Sequence, residues 1–139
     1  MNISETQMNG ILGEMTRAGE ECLCPVYCMF LKTGFFAHSY SLTIGYISYT
    51  SDDRLICAKN TLGSWTGAAY RMTDLRRIKI KKTLFGQYRV YAEFADAANV
   101  TKTVRIKFQL ALKVIGCDLP DQERNGEILL DTLKRYEDR

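Results

Sequence analysis

Three groups of residues in this 139-residue chain are of types that do chemistry: one histidine, five cysteines and a run of lysines and arginines. The histidine, His38, stands between Phe36-Ala37 and Ser39-Tyr40 in a segment expected to be a loop. Nucleophilic or general-base work needs a second group, and no cysteine lies beside a recognisable base or orienting carboxylate. The sequence therefore assigns no catalytic residue and points to a non-enzymatic chain. Cys22, Cys24 and Cys28 share parity, so a regular strand would project all three thiols to one face, where they could gather a metal. Their spacing does not match the paired knuckles of structural zinc sites. With Val26, Met29 and Phe30 as neighbours they read as small buried hydrophobes, and no metal is expected. No cofactor is expected either, because the Walker loop, the dinucleotide fingerprint and the calcium loop are all missing. Asp52 and Asp53 fall in a polar turn, where paired carboxylates are solvated.

The basic residues carry the stronger signal. Arg71, Arg76, Arg77, Lys79, Lys81, Lys82 and Arg89 fall within nineteen residues that hold one acid, Asp74. Strand alternation puts Arg77, Lys79 and Lys81 on one face, and with Arg89 they make a candidate binding face. Such a row suits anionic lipid headgroups, nucleic-acid phosphates or an acidic protein surface. The plain alternative is a solvated face turned to water or toward the acidic C-terminal helix. Nucleic acid is not the expected partner, since stacking needs exposed aromatics among the charges and Tyr88 and Tyr91 have opposite parity.

Charge is distributed unevenly along the chain that must position this cluster. Residues Met1–Asp53 hold two basic and six acidic residues, Arg54–Lys113 thirteen and three, and Val114–Arg139 four and seven, so a basic middle lies between acidic ends. With 46% hydrophobic and 25% charged residues, the length fits one domain with its own core. The N-terminal residues lack the basic and apolar regions of a secretory signal, and no apolar run is long enough to span a bilayer, so the expected location is the cytoplasm. An odd number of cysteines in a chain of this size predicts free thiols.

The elements follow from periodicity. Ser4 and Gln7 form a capping box, and Met8, Ile11, Leu12 and Met15 an apolar stripe, predicting a helix over Glu5–Ala18 ended by Gly19. Cys22–Leu31 is nearly continuous apolar sequence and reads as a buried strand, with Pro25 at its start or on an edge. Tyr40–Tyr49 and Arg54–Lys59 read as a hairpin across Thr50-Ser51-Asp52-Asp53. Asn60–Gly67, around Trp65, reads as a loop or an irregular strand. From Leu75 the period is two through Ile78 and Ile80, Tyr88 to Phe94, and Val104 to Phe108, and the short connections require an antiparallel meander. Pro120–Glu137 is expected to be a helix with Leu129, Leu130, Leu133 and Tyr136 on its apolar stripe. The class is thus mainly β, with about six or seven strands and a flanking helix at each end.

Three stretches bear on kinship. Gly45-Tyr46-Ile47-Ser48-Tyr49-Thr50 leads to Asp53-Arg54-Leu55-Ile56; further on come Thr73-Asp74-Leu75-Arg76-Arg77-Ile78-Lys79-Ile80 and Leu84-Phe85-Gly86-Gln87-Tyr88. In these the chain resembles the bacterial pleckstrin-homology-like domains, a group related in shape to GRAM domains. The resemblance covers about Glu20 to Tyr136, so residues 20–139 would form the domain and 1–19 an appended N-terminal helix. It implies a partly open barrel of two near-orthogonal antiparallel sheets, with the last helix plugging one end. It also implies a non-catalytic binding role. The leading expectation is a module that binds another protein or its own copies through a strand edge or the Lys/Arg face. The second is peripheral binding to anionic membrane headgroups through Arg77, Lys79, Lys81 and Arg89. The third, from a different class, is a small enzyme or ligand carrier using the barrel mouth.

Overall fold

Apolar residues on both faces of a strand require cover on both faces, whereas strict alternation leaves one face wet, and the chain uses each pattern in a different half. The computed structural model describes residues 3–33 and 40–137; His38 and Gly34, which figure in the sequence reading, lie outside them. The order is α1 (Glu5–Gly13), β1 (Val26–Thr33), β2 (Tyr40–Tyr49), β3 (Arg54–Thr61), β4 (Ser64–Arg71), β5 (Leu75–Lys82), β6 (Tyr88–Ala95), β7 (Thr103–Leu110) and α2 (Gln122–Glu137). The seven strands make one antiparallel sheet in the order β4-β3-β2-β1-β7-β6-β5. The sheet is not closed. Its edges, β4 and β5, are consecutive in the chain and joined by the single 3₁₀ turn Met72–Asp74.

The main core lies between the sheet and α2. Val26, Cys28, Phe30, Leu55, Cys57, Ile78, Val90, Phe94, Ile106 and Phe108 meet Leu129, Leu130 and Leu133 there. Phe30 packs against Phe108 with ring centres 6.0 Å apart, and Tyr70 of edge strand β4 stacks on Phe94 of β6 at 4.9 Å. At its start α2 is fastened by the buried Gln122. The amide Nε2 donates to the carbonyls of Tyr27 and Ala111 at 2.9 Å, and Oε1 accepts from the Tyr27 N–H at 3.0 Å. At the other end of the helix the Tyr136 hydroxyl donates to Asp53, and the Glu137 carboxylate accepts the N–H of Ile80 at 2.8 Å on the edge of β5.

A second core occupies the outer face of β2 and β3. Met8 and Leu12 of α1 pack there on Tyr46, Ile56, Ala58 and Leu119. This explains why Leu55, Ile56, Cys57 and Ala58 are all buried in succession: odd positions face α2 and even positions face α1. Trp65, half-buried, stacks on Tyr46 at 4.9 Å with its plane within 10°. The start of α1 is also tied down, with the N–H of Glu5 on the Asp118 carbonyl at 2.8 Å.

Four details depart from the sequence reading. The first helix stops at Gly13, five residues early, because the chain turns through Gly13–Thr16 and lays Met15 against Gly67. Only half of its capping box forms. Ser4 Oγ accepts the Gln7 N–H at 3.2 Å, but Gln7 Oε1 is taken by the Tyr46 hydroxyl at 2.6 Å. The regular part of the Cys22–Leu31 run begins only after Pro25, which has no N–H for a ladder, and Cys22 makes an isolated bridge to Thr50. Asn60–Gly67 is neither loop nor irregular strand: β3 runs to Thr61, Leu62-Gly63 makes a two-residue turn, and β4 follows in register. An edge strand with little burial carries no alternating signal, so β4 was hidden in the sequence. No helix among the described residues is long and apolar enough to cross a membrane.

Candidate binding face

Because α2 covers the inner face of β5, β6 and β7, the charged residues that alternate with the buried Ile78, Val90, Ile106 and Phe108 are driven outward. Their register stacks them in three rows. Arg77, Glu93 and Arg105 form one row, Lys79, Tyr91 and Lys107 the next, and Lys81, Arg89 and Gln109 the third. Six cations therefore share one face with one acid. The predicted Arg77, Lys79, Lys81 and Arg89 are brought together and exposed. Arg105 and Lys107 join them, and their own alternation with Val104, Ile106 and Phe108 was the signal for it. The acidic helix lies on the opposite side of the sheet, so this face does not neutralise itself against α2.

The rows differ in how their charge is balanced. In the first, Glu93 accepts from the Tyr91 hydroxyl at 2.7 Å and meets Arg105 Nε at 3.3 Å, and these two contacts hold its carboxyl below the ordinary range. In the third, Lys81 stands directly opposite Arg89, a like-charge pair that weakens the ladder, and Arg89 Nε donates to Gln109 at 3.2 Å. Two members of the basic run are engaged elsewhere. Arg71 pairs with Asp74 at 2.9 Å, and Arg76 donates to Thr103 at 2.8 Å and to the Val100 carbonyl.

Beyond Lys81 and Lys82 the sheet ends in the β5–β6 hairpin. Thr83 N–H donates to the Gln87 carbonyl at 2.7 Å and Gly86 N–H to the Thr83 carbonyl at 3.2 Å, with Gly86 at φ 78°. Leu84 and Phe85 occupy the central turn positions, and are 100% and 91% exposed. Lys81, Lys82 and Arg89 line the hollow at their base.

The other chemical groups serve the fold. Glu20, buried before β1, takes Arg54 in a bidentate pair at 2.5 and 2.9 Å, accepts the Thr50 hydroxyl at 2.5 Å and the Arg17 N–H at 2.9 Å. Arg54, foremost, pulls its carboxyl down to about 2. Cys22, Cys24 and Cys28 do not converge: Cys24 and Cys28 lie in the main core with Cys57, Cys22 at the margin of the second. All five thiols are free. Burial pushes Cys28 well up and Cys57 to about 12, which keeps them protonated and poorly nucleophilic. Among the described residues no group of three His, Cys, Asp or Glu is placed to hold a metal. No family model, curated protein or solved structure matches this chain.

Proposed function

We propose that the chain is a non-catalytic binding module of the pleckstrin-homology-like type, which docks on an anionic macromolecular surface with the outer face of β5, β6 and β7. The observation that carries the binding role is the clustering of Arg77, Lys79, Lys81, Arg89, Arg105 and Lys107 around the single acid Glu93, on the side of the sheet away from α2. A like-charge pair such as Lys81 and Arg89 weakens a folded sheet unless an anion relieves it. The fold assignment draws on the seven antiparallel strands, the short link between edge strands β4 and β5, and the C-terminal helix across the inner face. On this reading β1–β4 and β5–β7 are the two halves of a partly open barrel. The space between sheet and helix is filled by Phe30, Phe94, Phe108, Leu129 and Leu133, which disfavours a ligand carried inside.

The test is binding to two anionic surfaces, phosphatidylserine-containing vesicles and immobilised polyglutamate, by the wild type and by K79E/K81E. Each basic side chain near a charged surface contributes about 1 kcal/mol, so losing both and putting acids in their place should weaken binding by about thirtyfold or more. The effect should shrink as salt rises. Equal binding by K79E/K81E, to whichever surface the wild type prefers, would exclude this face as the docking site.

A further inference from the structure

We infer that the anionic surface is a lipid bilayer, and that the β5–β6 hairpin tip is a wedge whose Leu84 and Phe85 enter the boundary between headgroups and acyl chains. The inference rests on the docking reading above and adds to it the partner and the contact atoms.

Central turn positions are ordinarily polar, and this turn needs only Gly86 in its left-handed conformation. Leu84 and Phe85 give the folded core nothing, since both lie almost wholly in water. Large apolar side chains in such a place mark a contact surface. Leu62, at the tip of the β3–β4 turn, is equally exposed, but its neighbours Asn60, Thr61 and Ser64 are uncharged.

The flanks of the β5–β6 tip are cationic on both sides. Lys81 and Arg89 stand on the outer face; on the inner face Lys82 and Lys134 both lie over the Tyr88 ring, at 5.8 and 5.9 Å. A protein partner would need an apolar pocket with acids on two opposite walls. A bilayer of anionic lipid offers apolar depth ringed by negative charge to any convex tip, and basic flanks around an apolar end are the signature of interfacial binding.

The rows of the sheet scale this contact. Successive rows are two residues apart along a strand, or roughly 7 Å. With the tip at the headgroups, Lys81 and Arg89 touch them, and Lys79 and Lys107 stand one row further. The row holding Glu93 lies roughly 13 Å beyond the first, past the Debye length of about 8 Å at physiological salt. The one acid of the face thus stands, with Arg77 and Arg105 of its row, among the charges that the membrane senses least. Next to Phe85, Lys113 lines a second hollow together with Glu123, two residues before Ile115, which is 98% exposed.

The experiment compares wild type, L84S/F85S and K79E/K81E on phosphatidylserine-containing vesicles, on phosphatidylcholine vesicles and on immobilised polyglutamate. It also follows the emission of a Phe85→Trp variant against the Trp65 background of the wild type. L84S/F85S should lose about tenfold or more in affinity for the anionic vesicles and bind polyglutamate as the wild type does. The Phe85→Trp emission should shift to the blue on those vesicles and be quenched by brominated lipid. Unchanged vesicle binding by L84S/F85S, or unshifted emission, overturns the wedge; if K79E/K81E still loses binding, docking through the basic face stands. Polyglutamate binding without vesicle binding overturns the bilayer assignment alone, and wild-type binding to neither surface overturns both. Both tip residues are exposed, so L84S/F85S should melt with the wild type.

Discussion

The hydroxyl of Tyr136, in the last turn of α2, donates to Oδ1 of Asp53 in the β2–β3 turn at 2.7 Å. The same oxygen accepts from Tyr49 at 2.7 Å, so one carboxylate anchors the helix end to the sheet through two phenols. Burial and the bond to Asp53 push the Tyr49 phenol well up, so it stays a donor at all ordinary pH.

Asp53 also sits at φ 58°, a conformation that asparagine and aspartate adopt at less cost than alanine. Asp53→Ala should cost about 2–4 kcal/mol, combining a left-handed alanine with two phenols deprived of their acceptor. Asp53→Asn keeps the conformation and an acceptor oxygen and should cost less than about 1 kcal/mol. Urea midpoints measure the difference, and coincident midpoints would mean that the anchor contributes nothing.

Glu20 predicts an acid-sensitive stability. Its folded carboxyl is held at about 2, below the 4.5 of an ordinary glutamate, chiefly by Arg54. A depressed carboxylate contributes stability that is present above its unfolded value and lost as pH falls toward the folded one. Near neutral pH, Glu20→Gln should cost about 3–5 kcal/mol, because it leaves the largely buried Arg54 without its counter-charge. The gap between wild type and variant should narrow between pH 4.5 and 2. A gap that is flat across that window would assign the depression to some other group.

Leu62 is a place where the chain can be improved. It takes φ 52° ahead of Gly63 at φ 87°, the arrangement of a type I′ hairpin turn. A left-handed leucine costs about 1–2 kcal/mol, and asparagine relieves most of it. Leu62→Asn should raise the melting temperature by about 3–5 °C. A drop in stability would show that the exposed leucine makes a contact of its own.

The two cores can be probed separately. Leu12→Ala should cost about 2–5 kcal/mol, since Leu12 is fully buried between α1 and the outer face of β2 and β3. Removal of residues 1–18 should expose Tyr46 and Ile56 and give an aggregating product; a truncated chain that stays monomeric and melts cooperatively would show α1 to be dispensable.

Leu133→Asp should cost several kcal/mol by placing an unpaired charge in the main core. Melting within a degree or two of the wild type would refute the docking of α2.

Where burial alternates, the sequence was legible. Ile78, Ile80, Val90, Ala92, Ile106 and Phe108 announced β5, β6 and β7, and the parity of Arg77, Lys79 and Lys81 announced their face. What parity lacked was pairing. The alternation of Arg105 and Lys107 with Ile106 and Phe108 gave their side of the strand, but which row they join is set by the register of β6 with β7, which nothing local determines. Strand β4 escaped because Thr66, Gly67 and Ala69 are exposed on an edge where no burial pattern is imposed. Leu84 and Phe85 were visible as a turn but not as a surface, since apolar residues in a five-residue connection have no periodicity from which exposure can be read. The end of α1 depended on Met15 finding Gly67, a contact across more than fifty residues.

Strand order has a consequence for the order of events at the ribosome. Phe30 of β1 pairs with Phe108 of β7, 78 residues later, and Tyr27 waits for Gln122. At translation rates of about 5–20 residues per second, β1 is made roughly 4–16 s before its second neighbour exists. During that interval the nascent β1–β4 segment can pair with itself but presents Val26, Cys28 and Phe30 to water. Biogenesis of this protein should therefore lean on a chaperone that shields apolar strands during synthesis, and slowing elongation between residues 33 and 103 should lower its soluble yield.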